Sequence, residues 1–259
     1  MNRITALAAT AALAAGTLAF AAPTQAAPAQ ARAYQVTARA NVEVAVAKED
    51  TIKVRGRVTP RAAGEKVVLQ QRVGNKKTWR RTGTAKIKAN GTYKLTDGPS
   101  TPGPRQYRVL KPGSNGLAKG FSAPVEVQVY RWDKLAYRPP VATNVTLRGV
   151  TIGTEYYGQS LATITPGTAA TVEYTLGRKC TALRATYALT DESATGSSGA
   201  ITVTADGKQV AVHSLAVGTI VADEELDLSG VFRLKFDAST SATPAATAAV
   251  ATPEVLCTR

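Results

Sequence analysis

Between residues 33 and 130 apolar side chains recur at every second position: Val42, Val44 and Val46; Ile52 and Val54; Ala85, Ile87 and Ala89; Tyr93 and Leu95; Tyr107 and Val109; Val125, Val127 and Val129. Successive strand residues point to opposite faces, so this period predicts half-buried β-strands, about six or seven of them. Pro60, Gly64, Gly74 with Asn75, Gly98 with Pro99, and Pro112 with Gly113 separate the runs as turns. Asn90 and Gly91 carry the residue types of a tight two-residue hairpin. A second alternating set follows: Val145 and Leu147; Val172, Tyr174 and Leu176; Leu183, Ala185, Tyr187 and Leu189; Ile201, Val203 and Ala205; Val210 and Val212; Phe232, Leu234 and Phe236. Asp206 and Gly207 give it a hairpin signal of its own. No stretch carries a helical period, so the fold class is all-β, with two β-sandwich domains. The first half, with Trp79 read as its buried tryptophan, predicts an immunoglobulin-like sandwich. The second, with about eight strands, predicts a jelly-roll or galactose-binding-like sandwich.

The first residues do not fit either pattern. Asn2 and Arg3 precede an apolar run over 4–20, and small residues follow at Ala19, Ala21, Ala27 and Ala29. That is the layout of an export signal, assigned to residues 1–27. The exported part would be secreted or loosely attached to the cell envelope. No later apolar run is long enough to span a membrane as a helix. The chain has two cysteines, Cys180 and Cys257, and an oxidising destination makes one disulfide between them the expected state.

Charge divides the chain. The sequence carries a net charge of +14, and residues 28–130 hold 20 Lys and Arg against 6 Asp and Glu, whereas residues 131–259 hold 11 against 12. The first half is therefore the one that would attract polyanions. Lys76, Lys77, Arg80 and Arg81, flanking Trp79 in a turn-rich stretch, are its densest cluster and the candidate contacts; a solvated face is the plain alternative. No nucleic-acid motif accompanies them, so sequence-specific reading of bases is not expected. Between the halves, residues 131–140 are aromatic, basic and end in Pro139 and Pro140, which reads as a stiff junction with Trp132 and Tyr137 packed between domains.

Residues 38–130 resemble the Ig-like or fibronectin-like spacer modules of secreted actinobacterial proteins through Gly56 and Val58, then Val67, Leu69, Gln70 and Arg72, then Trp79, then Gly91 and Tyr93, and finally Tyr107 and Val109. Residues 141–257 resemble the NPCBM carbohydrate-binding family. That likeness rests on Gly149 to Gly158, the run Tyr174, Leu176 and Gly177, the pair Asp191 and Glu192, the run Ile201, Val203, Asp206 and Gly207, and the run Leu226, Leu228, Gly230 and Leu234. The second resemblance implies a galactose-binding-like sandwich and sugar binding. The chain departs from the family pattern at Tyr156 to Gln159 and at its close, residues 251–257, so no sugar-binding residue is carried over from the family.

Sugar sites set an aromatic ring against the saccharide and ring it with hydrogen-bonding side chains. Tyr156, Tyr157, Gln159, Asp191 and Glu192 are the residues available for that, although tyrosines packed beneath a loop would look the same. Enzyme chemistry finds little support: His213 is the only histidine, and neither a nucleophile elbow nor a metalloprotease or phosphate-loop motif is present. The acidic pairs, Asp191 with Glu192 and the run Asp223, Glu224 and Glu225, read as solvated loop residues, the latter with Asp227 also as an oxygen cage for Ca2+. No cofactor and no metal ligand set is assigned. The domains are placed at 28–130, a junction at 131–140, and 141–259; whether residues 238–253 form a strand connection or a loop stays open. The function that follows is non-catalytic binding of a glycan or cell-wall polymer, with a polyanion-binding structural or adhesive spacer as the alternative.

Overall fold

The alternation of the sequence is realised as burial: in the strand Ile52–Thr59, Ile52, Val54 and Val58 are enclosed while Arg55 and Arg57 face solvent. The structure is a computed structural model and describes residues 32–258; the predicted export signal, residues 1–27, lies outside them. Strands of the first half are β1 (Gln35–Val36), β2 (Arg39–Ala40), β3 (Val44–Val46), β4 (Ile52–Thr59), β5 (Lys66–Val73), β6 (Arg80–Lys86), β7 (Thr92–Asp97), β8 (Gly103–Lys111), β9 (Gly120–Phe121) and β10 (Val125–Lys134). After a 3-10 turn at Leu135–Tyr137 come β11 (Val141–Thr143), β12 (Val145–Ile152), β13 (Glu155–Thr163), β14 (Ala170–Thr175), β15 (Cys180–Leu189), β16 (Ser198–Ala205), β17 (Lys208–Ala216), β18 (Ile220–Asp227), β19 (Arg233–Thr240) and β20 (Ala248–Cys257). The described residues contain no α-helix, so the all-β class stands.

In the first half β4 pairs with β1 and β2 along one edge and β7 along the other. Against this sheet lies a second, in which β3 runs parallel to β10, and β10, β8, β5 and β6 follow antiparallel. Ile52, Val54, Leu69, Tyr107, Val109 and Val129 fill the space between. Gly56 is required here because a Cβ would stand 1.7 Å from the Thr37 carbonyl oxygen, beside which the Tyr93 hydroxyl also donates. In the second half β11, β14, β19, β16 and β17 form one sheet. It packs on a sheet of β12, β13, β20, β15 and β18 over a core that includes Tyr174, Leu183, Leu228, Leu234 and Phe236.

Three details differ from the sequence reading. Trp79 is not a core residue: it is half-exposed on the outer face of the β5–β8 sheet, with the Arg72 and Arg108 guanidinium carbons 5.0 and 4.3 Å from its ring. Asn90 and Gly91 form a turn, but β6 pairs with β5 and β7 with β4, so the turn carries the chain between sheets instead of closing a hairpin. In β3 the buried residue is Ala45 while Val44 is exposed, because a run apolar in both phases leaves the choice of face to the parallel pairing with β10.

The halves share a strand. Residues 125–129 of β10 pair with β8, and residues 131–134 continue without a break to pair with 254–257 of β20. The residues that open the predicted junction are thus strand, and Trp132 lies under the Arg184 guanidinium (4.2 Å), which is itself ion-paired with Glu254 at 2.6 Å. Tyr137, expected to pack between domains, is instead 73% exposed. Cys257 stands opposite both Arg131 and Cys180, and the two cysteines are bonded across β15 and β20. The stretch 238–253 is divided between the end of β19, a connection, and the start of β20.

Asp206 and Gly207 do close the β16–β17 hairpin, with φ of 48° and 81°. The Asp206 carboxylate accepts from the backbone N–H groups of Phe232 and Arg233, which holds its pKa below the usual aspartate value. Gly207→Val forces a branched side chain into the left-handed region and is expected to cost about 1–2 kcal/mol, read as a lowered melting temperature; an unchanged melt would refute the assigned turn.

Candidate functional site

The β12–β13 hairpin carries most of the residues singled out for sugar binding. Its base pairs with β20 only at Leu161 and Ala162. Beyond that the hairpin folds across the outer face of the β20–β15 sheet, where Val150, Ile152 and Tyr157 pack on Ala162, Ala188, Ala249 and Ala251. Alanines leave the room for this close approach, and the hairpin tip at Gly153 reaches the Ile220 side chain of β18. The turn residues Gly153 and Thr154 have φ of 56° and 79°.

The acidic pair pins this flap. Asp191 accepts from the backbone N–H of Gly153 at 2.7 Å and of Thr154 at 3.3 Å, and its own N–H donates to the Thr151 carbonyl. Glu192 takes two hydrogen bonds from Arg148, at 3.1 and 2.6 Å, which holds its carboxyl below the usual range and raises the Arg148 guanidinium in turn. Both carboxylates therefore meet the hairpin, but Asp191 spends its oxygens on backbone.

Tyr156 and Tyr157 point to opposite sides, as neighbours in a strand must. Tyr157 is part of the packing beneath the flap, whereas Tyr156 is 75% exposed. Its ring lies across Gly149, where a Cβ would come 2.0 Å from the tyrosine oxygen. Opposite Gly149 the strand bulges at Gly158 and Gln159, and Gln159, at φ 60°, donates from Nε2 to the Tyr137 hydroxyl at 3.0 Å. Tyr137, which sequence reasoning placed in interdomain packing, is thereby joined to this surface. Nothing local in the sequence signals it; only the curl of the hairpin brings it there. The result is an open surface with two exposed tyrosines, Gln159 beside them and the Arg148–Glu192 pair at its margin.

The other acidic run is dispersed along β18. Glu224 accepts from His213 Nε2 at 2.9 Å, and Asp227 accepts from the Ser229 N–H, so the carboxylates face different neighbours. Among the described residues no group of three or more His, Cys, Asp and Glu is arranged to hold a metal ion. His213 stacks on Tyr187, ring centroids 4.4 Å apart, and burial pushes the Tyr187 hydroxyl pKa up.

Of the basic candidates, Lys76 and Lys77 are exposed in the β5–β6 connection and line a cleft of about 870 Å3, while Arg80 and Arg81 are exposed on β6. No described helix is long and apolar enough to cross a membrane.

No curated protein matches the chain. Residues 127–247 match the NPCBM/NEW2 domain, from within β10 to the residue before β20. The matched stretch contains Tyr156 and most strands of the second sandwich, and a separate sheet region over 35–120 precedes it.

Proposed function

We propose that the chain is an exported, non-catalytic binding protein whose C-terminal sandwich holds a glycan of its surroundings or of the cell envelope on the surface formed by Tyr156, Gln159 and Tyr137. The observation that carries this reading is exposed Tyr156 on a flap pinned by Asp191 and Glu192, with exposed Tyr137 joined to that flap through Gln159, inside the stretch that matches the NPCBM/NEW2 domain. A tyrosine ring offers an apolar face to a saccharide at low conformational cost, and a fixed backbone keeps that cost low. Export is supported by the disulfide and by the layout of residues 1–27. An immunoglobulin-like, spacer-type identity for the first sandwich is supported by β3 running parallel to β10 across from the β1–β4–β7 sheet.

The test is a panel of neutral galactose-type and related glycans presented to the full chain. Separating the halves at residue 130 would cut β10 in mid-strand, so point variants are the better tool. Tyr156→Ala and Tyr137→Ala are each expected to weaken glycan retention roughly tenfold with an unchanged melting temperature. Retention indifferent to both changes, or turnover of the polysaccharide, would refute the reading.

A further inference from the structure

The two halves treat their cations differently. In the C-terminal half Arg131, Arg138, Arg148, Arg184, Arg233 and Lys235 are each ion-paired with a carboxylate. Among the described residues of the first half only Lys111 is, with Glu65. Apart from buried Lys111 and Arg105, the latter held by Gln71 and Thr101, the charge of the first sandwich is thus left without carboxylate partners, and on one sheet face it is held in a defined arrangement. Arg72 donates from Nε at 3.0 Å and also from Nη2 to Gln106 Oε1, and Arg108 donates from Nε to Gln70 Oε1 at 2.8 Å. Glutamine fixes a guanidinium without neutralising it. The Trp79 ring lies within 5.0 Å of both guanidinium carbons, and Arg108 is also 4.4 Å from the Phe121 ring, with Lys119 Nζ 5.9 Å away.

With Nε of both arginines and Nη2 of Arg72 engaged by glutamine, the remaining terminal N–H groups, Nη1 of Arg72 and both Nη of Arg108, are the ones left to donate to a carboxylate or sulfate beside the ring. The two arginines also repel each other: burial and the Arg72 charge together push the Arg108 pKa down. An anion bridging them would relieve that repulsion. The cleft lined by Arg72, Lys76 and Lys77 continues the same face, with Gln106 and Gln128, while Glu126 and Glu43 mark the side that would repel an anion.

We propose that the outer face of the β10–β8–β5 sheet binds a linear acidic polysaccharide, running from the Lys76–Lys77 cleft over Arg72, Trp79 and Arg108 to Phe121 and Lys119. This surface is separate from the Tyr156 surface, and its failure would leave that reading untouched. A single-stranded nucleic acid suits it less well, because both aromatic rings already carry cations and offer no free platform for base stacking.

The experiment uses the full chain with fluorescent heparin, polygalacturonate, neutral dextran and a 20-nucleotide single-stranded DNA as probes, read by anisotropy across salt concentrations. The sulfated and carboxylated chains show which anion the site takes. Binding to at least one of them is expected, with none to dextran. Arg72→Gln with Arg108→Gln should weaken it about tenfold or more and flatten the log–log salt dependence by roughly 1.5. Arg55→Gln with Lys94→Gln removes equal charge from the opposite sheet, where the two residues face each other across β4 and β7, and should change affinity by less than about threefold. If the glutamine pair melts early, Arg72→Lys with Arg108→Lys keeps the charge, loses the forked edge, and should still weaken binding. Equal losses from the two double variants, DNA bound as tightly as the polysaccharides, or lysines that bind as well as arginines would overturn the proposal.

Discussion

Replacing Cys180 and Cys257 by alanine is expected to lower the unfolding free energy by about 4–5 kcal/mol, the chain-entropy value for a loop closed over a separation of 77 residues. The bond ties the last residues of β20 to the first of β15, so it fixes a pairing between segments that an open chain would rarely bring together. β20 is also the strand on which β10 docks, and the loss should therefore be felt on both sides of the seam. Urea unfolding of the oxidised protein and of the double variant measures the difference. Equal midpoints would mean that the bridge is absent in the folded protein or that its closed loop is already compact when unfolded.

Lys111→Met is expected to be the most damaging exchange of a single charged residue. The Lys111 side chain is 1% exposed, with Nζ 2.6 Å from Glu65, 2.7 Å from the Pro112 carbonyl and 3.0 Å from Ser114 Oγ, and it stands 4.0 Å from the Tyr34 ring centroid. Deleting one member of a buried ion pair costs about 3–5 kcal/mol, and the lower end applies because Glu65 remains 31% exposed and can be hydrated. The pH dependence follows from Glu65, whose hydrogen bonds to Lys111 and Ser114 hold its pKa below the ordinary glutamate value of 4.5. A depressed folded pKa contributes stability above the unfolded value and loses it as pH falls through the folded one. The gap between wild type and Lys111→Met should accordingly be constant at neutral pH and shrink below about pH 4. A gap that persists unchanged at pH 2 would show that packing of the lysine stem, and not its charge, is what matters.

The sequence made some of this legible because a few residues carry nearly unambiguous conformational meaning. Period-two runs such as Val172, Tyr174 and Leu176 state which face is buried, and Asp206 with Gly207 states a hairpin. What escaped depends on tertiary context. Trp79 looks like a core residue by type, yet its place is fixed by two arginines on neighbouring strands, one of them 29 positions away. Asn90 and Gly91 announce a turn without saying which sheet the next strand will join. Ala188, Ala249 and Ala251 read as weak strand formers, whereas their smallness is what admits the β12–β13 flap, and with the flap comes the meeting of Tyr137 with Gln159. Asp191 and Glu192 were legible as a pair near the candidate surface; that they would serve the hairpin backbone and Arg148 was not, because those partners lie some 40 positions away.

The unbroken course of β10 has a mechanical consequence. A loop between two modules lets them swing, and each then meets its surroundings on its own terms. Here tension or torque on one sandwich passes along a peptide ladder into its neighbour, which acts as a lever and not as a pendulum. A polymer gripped at one end would be offered to the other at a constant angle.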